Sequence, residues 1–163
     1  MMTTTRARSF RKVLGHFPSG ITIITALSED GPVGFTCQSF SSLSLDPPMV
    51  LVLPGRSSTS WPRISATGRF CVNVLAAHQA HLSTTFATSG ADKFAGVPWA
   101  PSPLGLPVLE GSCAWIECEI DAVHPGGDHL IVVGAVRDLG SRADSSPLLF
   151  HRGSYAKTTD LGR

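Results

Sequence analysis

A chain of 163 residues with 42% hydrophobic and 15% charged content has the length and apolar fraction of one domain that buries its own core without disulfide or metal staples. Its net charge of +1 gives nucleic acid or a membrane surface no electrostatic hold. No apolar run approaches membrane-spanning length, and the basic segment MMTTTRARSFRK is not followed by the apolar stretch of a signal peptide. Cys37, Cys71, Cys113 and Cys118 form no CxxC pair, and three of them fall inside predicted strands. They read as reduced thiols of a cytoplasmic protein, with no zinc site. The apolar surplus is compatible with a subunit interface.

In chain order, residues 1–8 read as a disordered tail. Ser9 is placed to cap a short helix over Phe10 to Phe17, with Phe10, Val13, Leu14 and Phe17 on one face for core packing. Ile21 to Leu27 is rich in β-branched residues and predicts a strand. Ser28-Glu29-Asp30-Gly31-Pro32 turns the chain, and Val33 to Phe40 returns antiparallel.

Residues 33–63, VGFTCQSFSSLSLDPPMVLVLPGRSSTSWPR, organise the rest of the chain. Thr36, Gln38, Ser39, Ser41, Ser42 and Ser44 form a first hydroxyl-rich segment. Met49 to Leu53, apolar and bounded by prolines, predicts a buried strand. Arg56-Ser57-Ser58-Thr59-Ser60 forms the second hydroxyl-rich segment. Ser60 is suited to cap a helix that starts at Trp61-Pro62 and stops at Gly68. Two readings stand for these segments: solvated loops whose hydroxyls bond their own backbone, or a cradle for a phosphorylated ligand at a helix N-terminus.

Arg69 to Leu75 predicts another strand and His78 to Ala87 a helix. His78 and His81 lie on its surface without a third metal ligand. Ser89 to Pro107 is a long loop containing Asp92-Lys93-Phe94. Either Phe94 and Trp99 anchor a surface loop, or Lys93 stands beside an anionic ligand. Ala114 to Val123 and His129 to Leu139 are strands joined by the turn Pro125-Gly126-Gly127-Asp128. His124 and His129 flank that turn as surface residues, a weak metal site or a functional pair. Leu148 to Phe150 is the last strand, and residues 158–163 are a tail. Many short strands with few helices predict a mainly β protein: an antiparallel barrel with short peripheral helices, one domain over residues 9–157. GxGxxG, a P-loop, a nucleophile elbow, HExxH and paired carboxylates are all missing, so any nicotinamide dinucleotide binds outside a Rossmann frame.

Four segments in order carry a resemblance: GITIITALSEDGPVGFTCQSFSSLSLDPPMVLVLP, GRFCVNVLA, DKFAGVPW, and HPGGDHLIVVGAV followed by PLLFHRGSY. They resemble the flavin reductase family with the split-barrel FMN-binding fold, from about Phe10 to Tyr155. The similarity points to the small NADH-dependent reductases that feed reduced flavin to a separate monooxygenase. CQSF, SSLSL, GRFCVNVL and DKFAG are most similar to reductase components of hydroxylases acting on 3-hydroxy-9,10-secosteroids.

The resemblance implies hydride transfer from NADH (NADPH as the alternative) to FMN (FAD as the alternative). It also implies a homodimer and a flavin-dependent monooxygenase as the partner that receives reduced flavin. Gln38, Ser39, Phe40, Ser41, Ser42, Ser44 and Leu45 are then expected to hold the isoalloxazine edge and ribityl chain. Ser58, Thr59, Ser60 and Trp61 are expected at the flavin phosphate, where Lys93 adds charge and Phe94 lies beside the flavin. His129 is expected near the flavin and nicotinamide as the catalytic residue, with Phe150, His151, Arg152 and Gly153 at NADH. Most comparable family members have Tyr where His151 stands, although imidazole can also stack. The rival readings are a split-barrel carrier of flavin or haem without NADH turnover, and a structural or regulatory domain without cofactor.

Overall fold

The computed structural model describes residues 3–90 and 92–162. Its centre is β2 (Thr22–Ser28), a strand buried on both faces. Ile24 and Ala26 point to one side and Ile23 and Thr25 to the other, all fully buried, as the two-residue side-chain period requires. β2 pairs antiparallel with β3 (Gly31–Cys37) and with β6 (Arg69–Val74). From β6 the sheet continues through β9 (Ala114–Gly126), β10 (His129–Ser141), β5 (Pro48–Val52) and β4 (Phe40–Leu45), each neighbour antiparallel.

The two edge strands of this sheet, β3 and β4, are consecutive in the chain, separated only by Gln38 and Ser39. Such a link reaches roughly 10 Å at most, so the sheet curls until its edges meet. The result is a barrel whose seam carries no ladder between β3 and β4: a split barrel. Register shifts between Val133 and Gly134, between Val136 and Asp138, and between Ser42 and Ser44 bend the long strands around it.

Inside the barrel, Ile24, Val33, Val52, Phe70, Val72, Cys118 and Val132 form one core. α2 (Trp61–Thr67) plugs one end through Trp61 and Ile64. The Trp61 ring meets Phe35 and Phe70 edge-on, with centroids 6.5 and 6.4 Å apart. A second core lies outside the barrel wall, where Ile21, Ile23 and Leu75 pack against Leu82 and Phe86 of α3 (Ala80–Ala87). A small outer sheet completes the wall, in the order β1 (Ser19–Gly20), β11 (Leu148–His151), β12 (Ser154–Lys157). Among the described residues, no helix is long and apolar enough to cross a membrane.

Leu148 to Phe150 is not the last strand as expected, because the chain turns at Arg152-Gly153 and returns as β12. Four further features differ from the sequence reading. First, α1 (Thr4–Leu14) takes up most of the expected tail, because the Thr3 hydroxyl accepts from Arg6 N at 3.4 Å and caps the helix there instead of at Ser9. Residues 1 and 2 lie outside the described residues. Second, none of α1 is buried: Phe10, Val13, Leu14 and nearby Phe17 are exposed, because the helix lies at the mouth of a cavity and not on a core.

Third, the serine-rich stretch 40–45 is a strand, β4; it reads as a loop because half its residues are serine. The expected strand from Val33 to Phe40 therefore ends at Cys37. Fourth, the long loop contains β7 (Trp99–Pro101) and β8 (Pro107–Leu109). Buried polar side chains of the main sheet hold this segment: Asn73 Oδ1 accepts from Leu109 N at 2.8 Å, and Glu117 Oε2 accepts from Leu104 N at 3.1 Å. Each satisfies backbone groups that burial would otherwise leave unpaired.

Trp61 is thus a core residue. Trp61→Ala is expected to lower unfolding stability by about 3–5 kcal/mol, read from chemical denaturation, while Trp61→Phe retains most of it. An unfolding midpoint unmoved by Trp61→Ala contradicts this placement.

Candidate functional site

The seam of the barrel opens into a cavity of about 860 Å³. Gln38 and Ser39, the edge-joining residues, form part of its wall, with Phe40 and Ser41 beside them. Leu51 of β5 and Leu53 just after it also line the cavity, and Leu53 N donates to Ser39 O at 3.0 Å. Phe150, Arg152 and Gly153 also line it, as do Phe10, Arg11 and Leu14 of α1. Seven of the expected site residues therefore meet in one cavity: Gln38, Ser39, Phe40, Ser41, Phe150, Arg152 and Gly153. The lining is apolar with a few hydroxyls and one amide, which suits a planar aromatic ligand. Its charged side chains, Arg11 and Arg152, are both cationic.

The hairpin that carries Arg152 has a constrained backbone. Arg152 has φ +52° and Gly153 φ +81°, the left-handed pair of a tight two-residue turn between β11 and β12. Glycine adopts this conformation freely, whereas arginine costs on the order of 1 kcal/mol. Phe150 is held edge-to-face by Tyr155 at 5.6 Å, which fixes the ring at the cavity wall. The hairpin is tied to α1: Arg152 N donates to Gly15 O at 3.0 Å, and Gly15 N donates to Arg11 O at 2.9 Å. A Cβ on Gly15 would stand 3.1 Å from Arg11 O and 3.6 Å from Arg152 Cα, so the close approach of helix to hairpin favours glycine.

A second cleft, of about 920 Å³, gathers Thr59, Ser60, Lys93 and Phe94 with Asp30, Arg63 and Trp99. Lys93 does reach Ser60, its Nζ lying 3.3 Å from the hydroxyl oxygen. It also donates to Phe86 O at 3.0 Å and Gly34 O at 3.2 Å, so its three donors are engaged by the protein. Burial pulls its pKa below the usual lysine value. Phe94 packs edge-on against Phe86 at 4.9 Å and belongs partly to the outer core. The helix cap also differs from expectation. Trp61 N donates to Ser58 Oγ at 3.1 Å, while Ser60 makes no capping bond.

The remaining expected residues stand elsewhere. Ser42, Ser44 and Leu45 do not line the cavity; they run along the outer edge strand, and Leu45 is 95% exposed. Trp61 has its ring in the core. His151 ends β11 without lining the cavity.

His129 does not join Phe150, Arg152 and Gly153 in the cavity either. The turn between β9 and β10 docks on the segment after β5, where Arg56 N donates to Asp128 O at 2.9 Å and Arg56 Nε to Gly127 O at 2.8 Å. His129 Nδ1 pairs with Asp128 Oδ1 at 2.7 Å, an interaction that lowers the Asp128 pKa. Its other ring nitrogen faces Gly55, where a built Cβ would lie 3.8 Å from Nε2. The thiols are not part of either site. Burial pushes Cys118 up to about 12 and Cys71 higher still, with Glu117 and, for Cys71, Cys118 nearby, so both stay protonated.

Sequence reasoning missed Arg11, Phe10 and Leu14 as cavity residues. The available signal was the charge pattern of the N-terminal helix, which carries Arg6, Arg8, Arg11 and Lys12 and no acid.

Residues 14–159 match the flavin reductase like domain, and the chain belongs to that family. It is 53% identical over 150 residues to the flavin-dependent monooxygenase reductase subunit HsaB of Mycobacterium tuberculosis, covering 91% of this chain and 80% of that one. It is 42% identical over 151 residues to the FMN reductase (NADH) SmoA of Agrobacterium fabrum, covering 93% and 86%. Among solved structures, it superposes on nitrilotriacetate monooxygenase component B from Mycobacterium thermoresistibile with a TM-score of 0.92 at 50% identity, over 95% of this chain and 88% of that one.

Because the left-handed conformation at position 152 is strained for arginine, Arg152→Gly is expected to leave thermal stability unchanged or raise it slightly, while NADH oxidation at low NADH falls. A marked drop in melting temperature contradicts the assignment of Arg152 to ligand contact over fold.

Proposed function

We propose that the chain is an NADH-dependent flavin reductase that reduces FMN and releases it to a partner monooxygenase. The observation that carries this reading is the single cavity that brings Gln38 to Ser41 against Phe150, Arg152 and Gly153. Two sets of residues, expected at two different cofactors, line one largely apolar space. The reductase names of HsaB and SmoA support it.

The cavity fits the cofactor chemistry. Apolar walls take a fused aromatic ring, hydroxyls and the Gln38 amide meet its polar edge, and cationic side chains meet phosphate. The flavin, when bound, supplies the hydride-accepting ring. The protein's part is alignment and exclusion of water. Gln38, Ser39 and Ser41 hold the ring edge at the seam. Phe150 and the Arg152–Gly153 turn would hold the nicotinamide beside the flavin. Arg56, Ser58 and Thr59, which follow Leu53, would hold the flavin phosphate with a guanidinium and hydroxyls. In this arrangement Asp128 and His129 buttress the phosphate segment and take no part in hydride transfer. Ser60 and Lys93 act from behind it as structural support.

The active form is a homodimer in this reading. Leu43 and Leu45 on the unpaired outer edge of β4, together with Val13 and Phe17, leave large apolar side chains uncovered, and Phe17 is 84% exposed. A second copy covers such an edge and keeps it from open-ended pairing. Similarity to HsaB supports a flavin-dependent monooxygenase as the partner, and the steroid assignment rests on the resemblance carried by CQSF, SSLSL, GRFCVNVL and DKFAG.

Mixing the purified protein with NADH and FMN in air tests the activity. Flavin-dependent loss of NADH absorbance is expected. Binding of FMN with no NADH loss would make the protein a carrier and remove the roles given to Phe150 and Arg152. For the assembly, sedimentation velocity is expected to give twice the chain mass of 17.2 kDa and to shift toward monomer in Leu45→Glu. A wild type that sediments as a monomer rejects the dimer.

A further inference from the structure

Arg56, Ser58 and Thr59, which hold the flavin phosphate in the proposed reductase, do not line the main cavity. The cavity has its own two cations, Arg11 from α1 and Arg152 from the β11–β12 turn, and no acidic residue lines it. Among the described residues neither arginine forms an ion pair with a carboxylate, in a chain where Arg69 and Arg137 do pair with Glu119. Arg152 is the one non-glycine residue with positive φ among those described, and it lines the cavity despite that unfavourable backbone. The two are mechanically linked through Gly15, whose N–H and carbonyl bond Arg11 and Arg152 respectively. Arg11 also lies ahead of residues 14–159, the stretch shared with the family.

Two unpaired guanidiniums bordering one apolar cavity call for an anion with several oxygens, which arginine meets bidentately. Ring-on-ring hydride transfer puts both the flavin and the nicotinamide in this space. With the flavin phosphate held elsewhere, the anion left for the arginines is the dinucleotide's.

We propose that α1 is a working wall of the NADH site, and that Arg11, acting with Arg152, binds the pyrophosphate of the nicotinamide dinucleotide. The proposal rests on the flavin reductase reading. It adds that the N-terminal helix, which buries nothing of its own, is held in place to deliver this charge. Because the contact is electrostatic and partly exposed, added salt weakens it.

The test uses the full chain and its Arg11→Gln and Arg11→Lys variants at saturating FMN. Arg11 is exposed and outside both cores, so the variants are expected to fold, which far-UV circular dichroism checks. Arg11→Gln is expected to raise the KM for NADH about tenfold with little change in kcat, and Arg11→Lys to recover part of it. The Kd for FMN, read from flavin fluorescence, is expected to stay within twofold. Reduced nicotinamide riboside, which has no phosphate, is expected to show the same KM with wild type and Arg11→Gln. Inorganic pyrophosphate is expected to compete with NADH in wild type and much less in the variant.

A tenfold loss of FMN affinity with unchanged KM for NADH overturns the proposal in favour of a flavin contact. An equal rise in KM for NADH and for the phosphate-free riboside overturns it in favour of a purely structural helix. A wild type that binds FMN but oxidises no NADH removes the reductase reading, and this proposal with it.

Discussion

Gln38 and Ser39 alone join one edge of the main sheet to the other. Seven strands spaced about 4.8 Å apart, laid flat, put those edges roughly 29 Å from each other, whereas the link spans about 10 Å. The sheet must close on itself. It cannot close by hydrogen bonding at that point, because the chain is turning from β3 into β4 there and its groups are committed to Leu53 and to the turn. The seam is therefore a place where backbone and short polar side chains face a space and not another strand. The barrel core fills the interior, α2 plugs one end, and the seam is left as the natural mouth.

What turns this mouth into a cavity comes from outside the barrel. The β11–β12 hairpin pairs with β1 next to it, and α1 leans on the hairpin's turn through Gly15. β11 is rooted in the outer core through Leu148 and Phe150, whereas α1 buries nothing, so the helix is the part of this wall with least holding it, as suits a wall that admits and releases two ligands in each cycle. The strained backbone at Arg152 belongs to the same pattern. Energy stored in a turn beside a cavity is tolerated where the side chain it positions has work to do there. By contrast, the second cleft is tightly stitched: Lys93 ties β3, the end of α3 and the start of α2 together, and Trp61 anchors α2 in the core.

The sequence was most legible where one period dominated. β2, β5 and the β9–β10 hairpin follow from β-branched runs and the PGGD turn, and Gly68 ends α2 in the left-handed conformation a terminating glycine allows. β4 was illegible because alternate serines hide a strand on an outer edge. β7 and β8 were illegible because the buried partners that hold them, Asn73 and Glu117, lie far away in sequence. Thr3, one of three successive threonines, gave no distinct capping signal for α1. At the site, resemblance placed Gln38 to Ser42, Ser44, Leu45 and Phe150 to Gly153 on ligands, and the fold brings Gln38 to Ser41, Phe150, Arg152 and Gly153 into one cavity and leaves Ser42, Ser44, Leu45 and His151 out of it. It could not reveal that the 126–129 turn docks on Arg56, which carries His129 away from that cavity, nor that Arg11 borders it.

The most direct measurement is a crystal structure of the protein with FMN and oxidised nicotinamide dinucleotide. The isoalloxazine edge is expected against Gln38, Ser39 and Ser41 at the seam, with the nicotinamide between it and Phe150. A flavin ring bound in the cleft between Thr59 and Lys93, with the seam cavity empty, would contradict the central claim that the seam is the site of hydride transfer.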